Sequence, residues 1–438
     1  MRIVLGSASP RRREIFARIA DPFEVRPADL DETRHPGEAP QVYVERLARE
    51  KAAAIAEREG DALVVGADTT VAVGNEVLEK PVDARDACRM LAKLSGRKHA
   101  VYTGVAVARA GRVQTSFVAR SEVLFRDLSD AEIEDYVSTG DPLDKAGGYA
   151  VQGGAGVFVR RIEGSVTNVI GLPLEETAEA VRALGGPDGP GASLEGVALR
   201  FRSLEGEIAG RTVACGRPPG SVRLVTVVKG HPPEYALAAM AAGAGDLAEN
   251  YVQEARSKRE FIAAARRDGR GDESASPRWH LIGPLQRNKA GLAARHFDVI
   301  HTVDRATLAR ALAARVDAAD RPLSVLVQVN VADDPAKAGV SPDDARPLID
   351  EIAAMESLCP VGLMTIGRAG AAADEARRTF ESLRKLRDEL RSAHPGLTEL
   401  SMGMSADYHE AIEEGATLVR LGTAILGPRP VRSVEGES

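Results

Sequence analysis

Two periods of apolar residues run along this chain. In the second half, short apolar runs recur at 222–228, 246–249, 279–282, 298–302, 324–331, 360–364, 399–402 and 417–421. Most have the length of a strand buried on both faces. Helix-patterned segments such as PPEYALAAMAAG and VQEARSKREFIAAARR separate most of them. Strands alternating with helices eight times predict a (β/α)8 barrel, in which the chemistry sits where strands end. Those ends carry Lys229, Asn250, His280, Asn330, Met364 with Thr365, the run from Ser401 to Ser405, and the run from Arg420 to Thr423. These polar groups are expected to converge on one mouth.

The first half is patterned differently. A short strand from Ile3 to Leu5 leads through LGSASPRRREIF into an amphipathic helix. In YVERLAREKAAAIAERE, residues Val44, Leu47, Lys51 and Ile55 share one helical stripe, which puts Lys51 on the side to be buried. ALVVGADTTVAV reads as a strand whose first part ends at Asp68. After the helical LEETAEAVRAL, the stretch LGGPDGPGAS interrupts helix and strand alike. Two domains are therefore expected, 1–184 and 194–438, joined by a Gly/Pro linker at 185–193, each long enough for its own core. RDGRGDESASPR at 267–278 lacks apolar periodicity and reads as a surface loop.

Composition narrows the function classes. The chain has 438 residues, 44% hydrophobic and 28% charged, with a formal net charge of −7, so no bulk electrostatic attraction to nucleic acid or an anionic membrane is expected. Its cysteines, Cys88, Cys215 and Cys359, lie far apart and suit neither a zinc cluster nor a disulfide framework. The amino terminus has too short an apolar stretch for a signal peptide, and no run of about 18 apolar residues occurs. A soluble, cytoplasmic protein is expected; the oligomeric state is left open.

The first half collects charges suited to a phosphate chain. Ser7, Ser9, Arg11 and Arg12 stand at a helix start, where backbone donors and guanidinium forks favour anions. Lys51 on a buried stripe wants an anion; Lys80 follows in EVLEKP; Asp31, Glu32 and Asp68 supply carboxylates. Cations for phosphates with carboxylates for a divalent ion and a water make a phosphoryl-hydrolysis set. Taken singly, the arginine run also fits a solvated face, Asp68 a turn cap, and Asp31 with Glu32 an exposed acidic turn. The motifs SASPRR, DLDET, REKA, VVGADTTV, LEKP, LSGRKHAVYTGVAV, DKAGGYAVQGGAG and VIGLPL together resemble the Maf family of nucleoside triphosphate pyrophosphatases across 1–184. That resemblance implies a mixed α/β, inosine-triphosphatase-like fold with a cleft. It further implies hydrolysis between the α- and β-phosphates with Mg²⁺ or Mn²⁺, on dTTP or UTP. By position it makes Arg11, Lys51 and Lys80 phosphate ligands and Glu32 and Asp68 the metal and water residues, Asp68 as base. Gln152 would lie in the nucleotide pocket. A nucleotide-binding regulator of cell division is the alternative.

In the second half, SMGMSAD and RLGTAILG place Ser405, Gly422 and Thr423 after strands seven and eight, where such barrels hold phosphate. A phosphate cup opposite Lys229 suits pyridoxal 5′-phosphate held as a Schiff base. Singly, Lys229 also fits a snorkelling lysine, Asn250 a helix cap, His280 a satisfied core histidine and Gly422 a turn. VRLVTVVKG, AENYVQEA, WHLIGPLQRNKA, VLVQVNVADDPAKAGV, GLMTI and SMGMSADYHEAIEEGATLVRLGTAILG resemble the YggS/PROSC family of pyridoxal phosphate homeostasis proteins, whose barrel is similar to the N-terminal domain of alanine racemase. The resemblance implies Lys229 as the Schiff-base lysine, Ser405, Gly422 and Thr423 on the phosphate, Arg420 near the pyridine nitrogen, and Asn250, His280 and Met364 lining the pocket. The alternative is an amino-acid racemase. It is disfavoured because only GPRPVRSVEGES follows the barrel, without the β-domain that brings a catalytic tyrosine.

Overall fold

The computed structural model describes residues 1–187, 189, 193–268, 276–316, 322–332, 334, 337–368 and 370–429. Much of the expected linker, most of the 267–278 loop and the last residues of the chain lie outside the described residues. The chain divides into two compact units, Met1–Gly220 and Ser221–Ser438.

The first unit is built on a mixed sheet of seven strands: β1 Ile3–Leu5, β2 Glu24–Val25, β3 Leu63–Val73, β4 Glu76–Leu78, β5 Lys98–Arg109, β6 Arg112–Phe125 and β7 Val159–Glu163. Their order is β2-β1-β3-β5-β6-β7, with β4 beside β3. β1 pairs in parallel with β2 and β3, and β3, β5, β6 and β7 pair antiparallel. The helices are α1 Pro10–Phe16, α2 Pro40–Ala56, α3 Ala84–Leu94, α4 Asp130–Ser138, α5 Val166–Ile170, α6 Leu174–Ala183 and α7 Leu194–Ala214. A large core including Leu5, Phe16, Val65, Leu91, Val105 and Phe125 fills one side of the sheet, and a smaller cluster of Ala48, Ala52, Val64 and Ala106 lies under α2.

Period two on β3 decides which side each residue serves. Gly66 faces α2, and Asp68, two residues on, shares that face. The strand runs on to Val73, as the expected ALVVGADTTVAV does, and Asp68 lies within it. Close approach of α2 depends on two glycines: a Cβ on Gly66 would stand 2.5 Å from the Ala48 carbonyl oxygen, and one on Gly104 only 2.3 Å from that of Val44. Neither neighbour is a movable side-chain tip. Gly104→Ala is therefore expected to destabilise the first unit by about 2 kcal/mol, as overpacking does, and to push Lys51 away from β3. Calorimetry should show a downward shift in one unfolding transition together with reduced hydrolytic activity.

Residues 194–214, which the expected boundary assigns to the second domain, form a helix that belongs to the first unit. α7 packs against α1, α5 and β7 and buries Val197, Leu199, Phe201, Leu204, Ile208 and Val213. An amphipathic stripe states that a helix must be covered, but not by which core.

The second unit closes into a barrel of β8 Arg223–Val227, β9 Asp246–Glu249, β10 Arg278–Leu281, β11 Val299–Val303, β12 Leu323–Gln328, β13 Leu358–Met364, β14 Glu399–Ser401 and β15 Leu418–Leu421, every neighbouring pair parallel. Each strand overlaps one of the apolar runs read from the sequence. Val225, Val227, Ala248, Val299, Leu326, Met364 and Leu418 form a buried cluster among these strands. Met364 is fully buried in it, a packing position rather than an open pocket wall. No helix among the described residues is long and apolar enough to cross a membrane.

Candidate functional site

A cavity of about 890 Å³ opens in the first unit, lined by Ser7, Ser9, Arg11, Arg12, Glu32, Lys51, Asp68, Thr69, Lys80 and Lys145 among others. At its centre the Lys51 ammonium, 8% exposed, lies 2.8 Å from Asp68 Oδ1 and 2.7 Å from Glu32 Oε1. An ammonium is tolerated at such depth because it is paired. Asp31 instead accepts from the Thr33 backbone N–H at 2.9 Å and hydroxyl at 2.5 Å, and those bonds hold its carboxyl below the usual range.

Arg12 lines the cavity but commits most of its donors to the protein itself. Its Nε donates to Gly171 O at 2.9 Å, Nη1 to Ala67 O at 2.9 Å and Ser7 Oγ at 3.2 Å, and Nη2 to Thr69 Oγ1 at 2.9 Å. One donor of its five is left for a ligand, and the others tie α1 to β3 and to the turn after α5. Ser9 caps α1 by accepting from the Arg12 backbone N–H at 3.4 Å, while Ser7 Oγ accepts from Ser9 N–H at 3.3 Å. With Arg12 also bound to Ser7 Oγ, its own O–H is left to donate into the cavity. Arg11 and Lys80 line the cavity. Gln152 does not: a Cβ on Gly206 of α7 would fall 1.9 Å from its Nε2, so its side chain lies on that helix. The sequence placed Gln152 by motif, and the packing of α7 was not visible there.

In the barrel, Lys229 follows β8 and, among the described residues, makes no hydrogen bond or ion pair. Burial, then Arg429 and Arg420, lower its pKa against the opposing pull of Glu249. Asn250 does not cap the following helix Val252–Arg267, whose first flanking residue is Tyr251; its buried Oδ1 has no partner. Ser405 is exposed on the loop after β14 and Thr423 is exposed at the start of the short helix Thr423–Leu426 after β15, with Gly422 half-buried before it. His280 is a core residue instead of a pocket wall, because both ring nitrogens are engaged: Nε2 with Asp246 Oδ1 at 2.7 Å and Nδ1 with His301 Nε2 at 2.8 Å. From there His301 Nδ1 meets Ser401 Oγ at 2.8 Å, and Ser401 Oγ accepts from Arg420 Nη1 at 2.5 Å. Arg420 Nη2 donates to Thr365 O at 2.9 Å. Donors then point one way along the whole row, from Arg420 through Ser401, His301 and His280 to Asp246. Burial lowers the Arg420 guanidinium to about 10 and holds His301 well below the usual imidazole range.

Comparison with known proteins resolves both halves. Residues 2–184 match the Maf-like protein family, and residues 213–430 the alanine racemase N-terminal domain family. The first half is similar to the dTTP/UTP pyrophosphatase of Myxococcus xanthus (strain DK1622), 54% identical over 185 residues, covering 93% of that protein and 42% of this chain. It is also 51% identical over 178 residues to that of Yersinia pestis bv. Antiqua, covering 90% of it and 40% of this chain. The second half is similar to PipY of Synechococcus elongatus PCC7942, solved without and with PLP. The identities are 36% and 35%, covering all of that chain and 53% of this one, each with a TM-score of 0.46. The chain belongs to the Maf family in its first half and to the alanine racemase N-terminal domain family in its second.

Several residues of the Maf half and the barrel escaped the sequence reading. Lys145 is 6% exposed on its side chain and ion-pairs with Asp144 at 2.6 Å and Asp141 at 2.9 Å at the cavity wall. It sits in the quoted DKAGGYAVQG, but between two short 3₁₀ turns it has no periodic face to betray its burial. Arg429 is the nearest neighbour of Gly230, 3.2 Å from where a Cβ would be, and His301 lies in the apolar β11. Its only sequence signal is a second imidazole inside a barrel strand.

Proposed function

We propose that the Maf half hydrolyses dTTP or UTP to the nucleoside monophosphate and pyrophosphate, and that the barrel binds pyridoxal 5′-phosphate on Lys229 for intracellular cofactor homeostasis in the cytoplasm. The observation that carries the first part is one buried ammonium holding two carboxylates at the centre of a cavity walled by Arg11, Lys80 and Lys145. Without ligand, Lys51 is paired with both Asp68 and Glu32 and offsets part of their charge. With a triphosphate in the cavity, the cations pair with phosphate oxygens, and Asp68, held on a rigid strand, accepts a proton from the attacking water. Ser7 donates its free O–H to a phosphate oxygen, and Arg12 fixes the walls. The dTTP/UTP pyrophosphatases to which this half is similar support the choice of substrate.

The donor set suits a divalent cation of the Mg²⁺ kind. Glu32 and Asp68 are hard oxygen ligands, and among the described residues no group of three His, Cys, Asp or Glu side chains is arranged to hold a metal ion. Mg²⁺ is commonly held by one or two carboxylates with water and substrate phosphates completing the shell. Bound there, it would neutralise phosphate charge and acidify a water. For the barrel, the fit rests on the unpartnered Lys229 amine and the orphaned Asn250 Oδ1. Pyridoxal phosphate, when bound, supplies an aldehyde for that amine and a phosphate for the loops of Ser405, Gly422 and Thr423. Arg420, which stays cationic at neutral pH and is set near the ring nitrogen by the family resemblance, disfavours protonation of the ring. That favours a carrier over a racemase.

A nucleotide panel and a visible absorbance spectrum on one purified sample test both parts. The expected outcome is pyrophosphate release from dTTP and UTP, lost in EDTA, together with a cofactor band. Release of orthophosphate as first product, or full activity in EDTA, contradicts the first part; a colourless protein that gains no band with added cofactor contradicts the second.

A further inference from the structure

Residues 185–212 lie between the two family matches, yet most of α7 falls within them and is bound tightly to the Maf unit. We infer that α7 is a working part of the nucleotide site, a clamp on the back of three of its walls; the inference rests on the pyrophosphatase reading above.

The first wall is α1, which carries Arg11 and Arg12. Along α1 and the turn after it, Arg13, Glu14, Arg18 and Asp21 meet Glu195, Arg202, Glu207 and Arg200 of α7 as ion pairs. Two of these are buried: Arg200 with Asp21 at 2.8 Å, side chains 0% and 6% exposed, and Arg18 with Glu207 at 2.5 Å, 12% and 3% exposed. Each charge on α1 and the turn after it meets an opposite charge on α7, and that matching fixes one register. The second wall is the chain of Lys145, Ala146 and Tyr149, which runs on behind the cavity to Val151 and Gln152. Gly206 lies against Gln152, and a Cβ on Gly210 would come within 3.9 Å of Val151. The third wall is α5, whose Val169 and Ile170 line the cavity; a Cβ on Gly210 would stand 2.6 Å from Val166 Cγ1. Small residues of α7 therefore meet two of the walls at close range, and ion pairs lock the third. A helix that holds three walls selects the cavity shape that binds nucleotide. By thermodynamic reciprocity, nucleotide must then tighten the helix.

The test uses the full-length chain. Arg200→Met should raise the KM for dTTP about tenfold with kcat within about twofold, a pattern of lost binding rather than lost chemistry. Assays run well below the Tm of each variant, and Arg200→Lys should recover part of the loss. If Arg200→Met does not fold, the isosteric Glu207→Gln carries the same expectation at about threefold. In wild type, α,β-methylene-dTTP should slow hydrogen exchange at the amides of 194–214 as well as around α1. Folded variants with unchanged KM, or exchange in 194–214 indifferent to the analogue while α1 responds, overturn the inference alone. A wild-type chain that turns over no dTTP overturns the pyrophosphatase reading and the clamp with it.

Discussion

Asp68→Asn is expected to lower dTTP hydrolysis about 10³-fold, the scale of a lost general base, with the fold intact. The amide oxygen still accepts from Lys51 Nζ, now 2.8 Å from Oδ1, so the position keeps its shape and loses its charge and its proton-accepting power. KM should change little, since the phosphate-facing cations remain. Lys51→Met makes the contrast. It leaves the buried Asp68 carboxylate, 12% exposed on its side chain, without its ammonium, and removing one partner of a buried pair costs about 3–5 kcal/mol. That variant should lose both Tm and activity. Steady-state kinetics and thermal melts of the two proteins check the pair of outcomes; an Asp68→Asn protein with near-normal kcat removes Asp68 from the chemistry.

Lys229→Ala should abolish covalent retention of pyridoxal phosphate while dTTP hydrolysis stays within about twofold of wild type. The two compact units have their own cores, so loss of an amine in one leaves the packing of the other. Borohydride treatment of wild type followed by peptide mapping should find the cofactor on Lys229; another lysine would refute the assignment. Capture should also depend on pH in a stated direction. Burial, Arg429 and Arg420 lower the pKa of Lys229 from 10.5, so its neutral, nucleophilic fraction grows at lower pH than for a free lysine. Arg429→Ala removes one lowering influence. The pKa should rise, and capture at pH 8 should slow, with the rate-against-pH curve moved to higher pH.

The barrel was legible because its strands are covered on both faces, and uninterrupted apolar runs such as 222–228 and 324–331 announce that condition without reference to any neighbour. Lys51 was legible for a related reason: period 3.6 put it among Val44, Leu47 and Ile55, and all of these are buried. What escaped depends on partners distant in sequence. The allegiance of α7 turns on Asp21 and Arg18 meeting Arg200 and Glu207, and no local pattern encodes which acid meets which base. The Gln152 side chain lies against that same helix. His280 stands at a strand end, as the barrel argument requires, but its function within the row from Arg420 to Asp246 depends on His301 and Ser401 across the interior. Asp68 belonged to the expected strand ALVVGADTTVAV, and the strand passes through it unbroken from Leu63 to Val73.

The most direct test of the central claim is ³¹P NMR of dTTP incubated with the full-length protein and Mg²⁺. Cleavage at the cavity built on Lys51, Glu32 and Asp68 predicts dTMP and pyrophosphate appearing in equal amounts, with no early orthophosphate and no dTDP. Orthophosphate and dTDP as the first products would contradict it.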